Sequence, residues 1–218
     1  MLKDKLQIYT LSVVFVGEFN PVIIQPFWLA NKKLIREQEA EDVKVELIHN
    51  ELVKFNLDWA YFEITKNRFE IRSSKEPYFE AVKDLALSIF KVLKETPIKV
   101  LGINHLKHYS LTEQQIYNFG DKLAPLNNWS EFLSDPKMLQ LEIIEQKRKD
   151  GLNGHIRVKI QPSAQVGNAV VINLNDHYSL KDEETGRNGE IIKILQENWQ
   201  KSQNLANEIP ESIWKKIN

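Results

Sequence analysis

Between Ile156 and Gln161 the chain reads Ile-Arg-Val-Lys-Ile-Gln. Side chains alternate across a strand, so Ile156, Val158 and Ile160 face one way and Arg157, Lys159 and Gln161 the other. The segment Arg68 to Ser73 repeats the pattern, with Phe69 and Ile71 opposing Arg68, Glu70 and Arg72. In the segment from Leu139 to Lys147, Leu139, Leu141 and Ile143 oppose Gln140, Glu142 and Ile144. Strands of this kind have one dry side and one wet side, which is the pattern of an antiparallel sheet covered on a single face. The wet side carries both signs of charge.

The remaining segments fill in the layers. Gln7 to Glu18 reads as a long strand. A helix is expected from about Phe27 to Ala40, after the extended stretch holding Pro21 and Pro26. Strands follow over Val43 to Phe55, with a break near Asn50, then Trp59 to Thr65 and Arg68 to Ser73. Lys66-Asn67 forms the turn between the last two. Val82, Leu85, Ala86, Ile89, Val92 and Leu93 recur at helical spacing, and Thr96-Pro97 ends that helix. The second half repeats the order. It has a strand over Ile98 to Tyr109 and a helix capped by Thr112 and Gln115. A loop from Pro125 to Pro136 leads to strands over Leu139 to Lys147, His155 to Gln161 and Asn168 to His177. The helix Asn188 to Ser202 and a separate short helix, Glu208 to Ile217, complete it.

The expected fold class is α+β: a long curved antiparallel sheet with helices packed on one face. Residues 1–218 form a single domain, and the element order allows two β-α-β-β-β-α pseudo-repeats, 1–96 and 97–218. Such a pair would build a TATA-binding-protein-like or helix-grip-like sheet whose other face stays open.

Composition narrows the chemistry. Twenty-nine basic residues against thirty acidic ones give a formal charge of -1. That disfavours a nucleic-acid coat without excluding a local basic patch. The chain has no cysteine, which removes disulfides, thiolate metal sites and a cysteine nucleophile. Leu11 to Phe19, the most apolar stretch, is too short to span a bilayer. The residues after Lys5 read as a strand and not as a signal peptide, so a cytoplasmic protein is expected.

Two segments resemble each other, Ile103 to Leu111 and Ile172 to Leu180, each leaving a strand toward a helix. They align His108 with His177 and Asn104 with Asn173. The functional reading is a paired polar site at strand ends, with His177 beside Asp176 as general base. The plain reading is that these residues satisfy strand ends, because no nucleophile or metal partner stands at a known spacing. His108, Asp176 and His177 are thus weak catalytic candidates. No metal site and no cofactor are expected: HExxH, Walker and G-x-G-x-x-G motifs are absent. Gly186-Arg187-Asn188-Gly189 reads as a loop before a helix. Trp28 and Trp129 are candidate partner anchors, together with Asn104 and Asn173.

The stretches VVFVGEFNP, IKVLGINHLKHY and VVINLNDHY, each closing a long strand, resemble landmarks of a sporadically distributed, uncharacterised bacterial protein family. Its members are small α+β proteins, some encoded beside mobile or phage-defence genes. The resemblance implies a bacterial defence or toxin–antitoxin setting and no catalytic residue. The expected function is a non-enzymatic protein-interaction or regulatory subunit with a protein partner, a self-dimer among the options. The alternatives are a nucleic-acid-binding saddle and an enzyme with a His/Asp site at the strand ends.

Overall fold

The computed structural model describes residues 1–181 and 188–217. It holds nine strands: β1 (Leu6–Gly17), β2 (Lys44–His49), β3 (Leu52–Asn56), β4 (Tyr61–Thr65), β5 (Arg68–Ser73), β6 (Ile98–Ser110), β7 (Leu141–Glu145), β8 (Gly154–Pro162) and β9 (Ala169–Ser179). They form one sheet in the order β2-β3-β4-β5-β1-β6-β9-β8-β7, and every pairing is antiparallel. The α+β class and the antiparallel sheet match the sequence expectation.

Two helices cover the dry side of the sheet. In α3 (Phe79–Val92) four of the residues at helical spacing, Val82, Leu85, Ala86 and Ile89, are buried, whereas Val92 at its end is exposed and Leu93 caps the helix. The buried four meet a phenylalanine cluster built from alternate strand positions. Phe90 lies edge-on to Phe15 at 4.9 Å and to Phe69 at 5.0 Å, the favoured aromatic arrangement. Gly17 ends β1 here because a Cβ would sit 2.1 Å from the Pro97 carbonyl oxygen. The second helix, α5 (Gly189–Ile217), crosses both halves of the sheet. Its Ile191, Leu195 and Trp199 join the phenylalanine cluster, and Ile213 and Trp214 pack on a smaller cluster around Tyr109, Phe119, Ile160 and Ile172.

Four details depart from the sequence reading. The helix expected over 27–40 is two short ones, α1 (Pro26–Asn31) and α2 (Glu37–Glu41). Lys33 lies between them in the left-handed region, at φ 58, which no helix can pass through. The break expected near Asn50 is present, but it is a hairpin turn, so Val43 to Phe55 is two antiparallel strands, β2 and β3, and not one strand. The strand expected over 139–147 is confined to β7. The two C-terminal helices are one, because α5 runs on through Pro210. Proline removes one hydrogen bond there, leaving the Ala206 carbonyl without its usual donor, and the packing on both sides retains the helix. By contrast α4 (Glu113–Leu123) starts as expected: the Gln115 N–H donates to Thr112 Oγ1 at 3.2 Å, and the Thr112 N–H donates to Gln115 Oε1 at 3.1 Å. Gly186 and Arg187 lie outside the described residues.

Among the described residues no helix is long and apolar enough to cross a membrane.

Candidate functional site

The open face of the sheet is polar because alternation sends the small and charged residues of each strand that way. At its centre Ser12, Asn104 and Asn175 are register neighbours on β1, β6 and β9. Asn175 Nδ2 donates to Asn104 Oδ1 at 2.6 Å, and Asn104 Nδ2 donates to Ser12 Oγ at 3.2 Å. Beside this row is a depression of 290 Å³ to which Arg68, Arg72, Asn104 and Asn173 contribute. The two asparagines singled out in the sequence therefore share one wall. Asn173 Oδ1 is buried there, and no group among the described residues partners it.

The charges of this face are largely compensated within it. Arg68 pairs with the buried Glu70 at 2.7 Å, Lys54 with Glu63 at 3.0 Å, and Arg157 with Glu142 at 3.3 Å. Arg72 lies 4.0 Å above the Tyr61 ring. A surface built to hold phosphates would keep such cations free.

His108, Asp176 and His177 do not converge. Asp176 and His177 are adjacent on β9 and so point to opposite sides of the sheet. On the dry side Asp176 is fully buried. It takes Arg148 Nη1 at 2.6 Å and the Tyr178 hydroxyl at 2.9 Å, and Arg148 also binds Asp150 at 2.7 Å. That carboxylate is committed to tying the β7–β8 connection to β9. On the open side His177 stacks on His155 at 4.2 Å. Burial lowers the affinity of both imidazoles for a proton, with the charge of Arg157 adding to it at His155 and the neighbouring His155 ring at His177. His108 faces the same side, but it pairs with Val171 while His177 pairs with Gly102. Six residues of strand hold them roughly 20 Å apart. His108 Nδ1 is held by the Ser163 hydroxyl at 2.7 Å. Among the described residues no three His, Asp or Glu side chains gather as a metal ion would require.

A second polar group lies between the sheet and the middle of α5. His105 Nε2 meets Ser202 Oγ at 3.0 Å, and its Nδ1 meets the Tyr9 hydroxyl at 2.7 Å. Tyrosine is the donor to Nδ1 when the other nitrogen carries the hydrogen. Lys107 Nζ donates to Asn207 Oδ1 and sits 4.3 Å above the Tyr9 ring. Burial pushes the His105 pKa down to about 3 and that of Lys107 to about 8. The arrangement resembles a serine–histidine pair, but Ser202, His105 and Lys107 are all buried and no substrate could reach the hydroxyl. It fixes the position of α5 between the two apolar clusters.

The surface that water does not explain lies at the far edge of the second half. Trp129 is 55% exposed, Phe132 76%, Leu139 80% and Ile143 59%. Leu133, Ile144 and Tyr117 are exposed as well. Beside them Ile116, Tyr117, Leu126 and Met138 line a groove between α4 and the segment leading into β7. Of the two candidate tryptophan anchors, Trp129 is on this surface and Trp28 is half-buried against the phenylalanine-rich core. Phe132 and Leu133 escaped the sequence reading, and Leu139, read as a dry strand position, is exposed. The signal for Phe132 and Leu133 was two large apolar residues three and four positions after Trp129, inside the stretch bounded by Pro125 and Pro136. No protein-family model matches the chain, and no curated protein matches it in sequence.

Proposed function

We propose that this protein is a non-enzymatic interaction subunit that docks on another protein through the exposed apolar edge of its second half. The observation that carries the reading is the run of large apolar side chains, Trp129, Phe132, Leu133, Leu139, Ile143 and Ile144, left in water beside an unpaired sheet edge. Isolated exposed apolar residues are ordinary, but six large ones within residues 129–144, two of them on opposite faces of the edge strand, are more than chance exposure accounts for and favour an interaction surface. The commitment of Asp176 to Arg148 and Tyr178 and the burial of Ser202 argue against an enzyme.

A nucleic-acid saddle is less well supported, because the arginines of the open face already hold carboxylates or an aromatic ring. The strand order supports a duplicated, TATA-binding-protein-like architecture. Read outward from the centre it runs β1-β5-β4-β3-β2 on one side and β6-β9-β8-β7 on the other. Each central strand pairs with the last strand of its own half. A cytoplasmic bacterial setting tied to defence or toxin–antitoxin genes is part of the same proposal, and the resemblance of the three strand-closing stretches supports it.

The test is a tagged capture from native cells with and without nuclease, run in parallel for the wild type and a Trp129→Ser/Phe132→Ser variant. A stoichiometric protein partner that survives nuclease and disappears with the variant supports the reading. A partner list that collapses with nuclease would replace it with the saddle. A partner unaffected by the variant would move the docking surface elsewhere.

A further inference from the structure

We infer that the partner at this edge is a second copy of the chain, joined about a two-fold axis at Leu141, the first residue of β7, by antiparallel pairing of residues 139–143, so that Leu139 and Gln140, which precede β7, extend the strand on association. The inference rests on the interaction reading above and adds the identity of the occupant.

The first argument is backbone chemistry. β7 ends the sheet order, so among the described residues the main-chain groups along its outer side have no strand partner. A strand edge of that kind is a template for another strand unless it is blunted. The opposite edge is blunted: the β2–β3 ladder has a register shift between Val45 and Leu47, and such bulges twist an edge away from pairing. The β7–β8 register runs from Leu141↔Ile160 to Glu145↔Ile156 without a shift.

The second argument is register. If two sheets join with their helix layers on the same side, each residue must oppose one that faces the same way. The axis then passes beside a residue and not between two. An axis at Glu142 or Glu145 would set a carboxylate against itself. One at Ile143 would set Leu141 against Glu145, and Leu139 against Lys147. One at Ile144 would set Ile143 against Glu145, and one at Gln140 would set Ile143 against Lys137. An axis at Leu141 sets Leu141 against itself and Leu139 against Ile143, both apolar and both highly exposed in the single chain. On the polar side it sets Gln140 against Glu142, an amide against a carboxylate. Within one chain Gln140 Nε2 already donates to Glu142 at 3.4 Å, so the two groups are chemically matched. This register leaves no like charges opposed and no apolar residue facing a charge over 139–143.

The absence of cysteine makes the test direct. In an antiparallel self-pair only the residue on the axis meets its own copy. Single variants Leu139→Cys, Leu141→Cys, Ile143→Cys and, at the other edge, Val45→Cys are oxidised at equal concentration, and wild-type mass is measured by sedimentation. The expected results are a doubled mass, a disulfide dimer from Leu141→Cys, and a mixed dimer when Leu139→Cys and Ile143→Cys chains are combined. Leu139→Lys, on a side chain too exposed to disturb the fold, is expected to weaken the dimer about 100-fold by placing two ammonium groups against apolar partners. A wild type monomeric at about 100 µM, weaker than any stable interface of this class, would overturn the inference. So would a dimer whose cross-linking maximum falls at Val45→Cys or at Ile143→Cys alone. If the chain is monomeric but Leu139→Lys still abolishes capture of a cellular protein, the interaction reading stands and its partner is a different chain. If neither dimer nor capture depends on Leu139, both readings fail.

Discussion

The strands β3 to β5 and the strands β7 and β8 carry the same alternating pattern, yet they end in opposite surroundings. Val53, Phe55, Phe62, Ile64, Phe69 and Ile71 are completely shielded. Ile143, which occupies the equivalent dry side of β7, is mostly in water, and its neighbour Val158 on β8 is only partly buried. The cover differs, not the strands. The first half has α3, whose Val82, Leu85, Ala86, Ile89 and Phe90 lie in the core, and α1 and α2 contribute Leu29 and Ala40 to the same core. The second half has the shorter α4, followed by a loop that turns its own large residues outward. Alternation thus reports which side of a strand is dry without saying what makes it dry, whether the chain's own helices or another molecule.

That contrast can be broken experimentally. The largest effect belongs to the shielded half. Phe69→Ala removes a ring that contacts Phe15, Phe62 and Phe90 and is expected to cost about 3–5 kcal/mol, read from the urea midpoint. A smaller loss would mean that the cluster repacks easily. In the second half the buried ion pair is the corresponding fixed point. Asp176→Ala strands Arg148 without its carboxylate and is expected to cost about 3 kcal/mol. A neutral result would show that Asp150 alone holds the guanidinium.

The seam between the halves is sensitive to acid. Burial holds His105 neutral, its pKa about 3 in the fold against an ordinary 6.5. Between those values the unfolded chain binds a proton that the fold refuses. Stability should therefore fall as pH drops from 6.5 toward 3, by up to about 1.4 kcal/mol per pH unit. Denaturation midpoints measured across that window, compared with those of His105→Gln, isolate the contribution. An unchanged slope in the variant would assign acid sensitivity elsewhere. The smallest effect on folding is expected at the exposed edge, where Phe132→Ser should change stability by no more than about 0.5 kcal/mol while lowering association. A large stability loss there would mean that the loop belongs to the core.

Much of this architecture could be read in the residues themselves. The one-sided sheet followed from the alternation in Arg68 to Ser73 and Ile156 to Gln161. The α3 stripe followed from its spacing, and the α4 cap from Thr112 and Gln115. What escaped depends on distant contacts. Lys33 reads as a good helix residue, and only its surroundings place it at positive φ. Residues 203–207 read as a break between two helices, yet packing at Ile213 and Trp214 carries α5 through them and on past Pro210. The site was legible in part. The two asparagines of the similar segments do share a depression, and Trp129 is exposed. The likeness of the two His-Tyr-Ser-Leu stretches suggested convergence, whereas β6 and β9 run antiparallel and carry His108 and His177 to opposite ends. Arg148, the partner that commits Asp176, looked like one charge among several in a basic turn.

The central position of β1 has a consequence for the chain as it is made. Its Ser12 meets Asn104 and its Tyr9 meets His105, contacts 92 and 96 residues apart in sequence. The backbone N–H groups of Leu2 and Lys3 are held by Glu211, 209 and 208 residues away. At a synthesis rate of roughly 5–20 residues per second, β1 waits roughly 5–20 seconds for its second neighbour and longer for α5. During that interval its apolar side, Leu11, Val13 and Phe15, has only β5 and α3 for shelter. The nascent first half should accordingly be the form most dependent on chaperones, and folding should complete only after the last helix has left the ribosome.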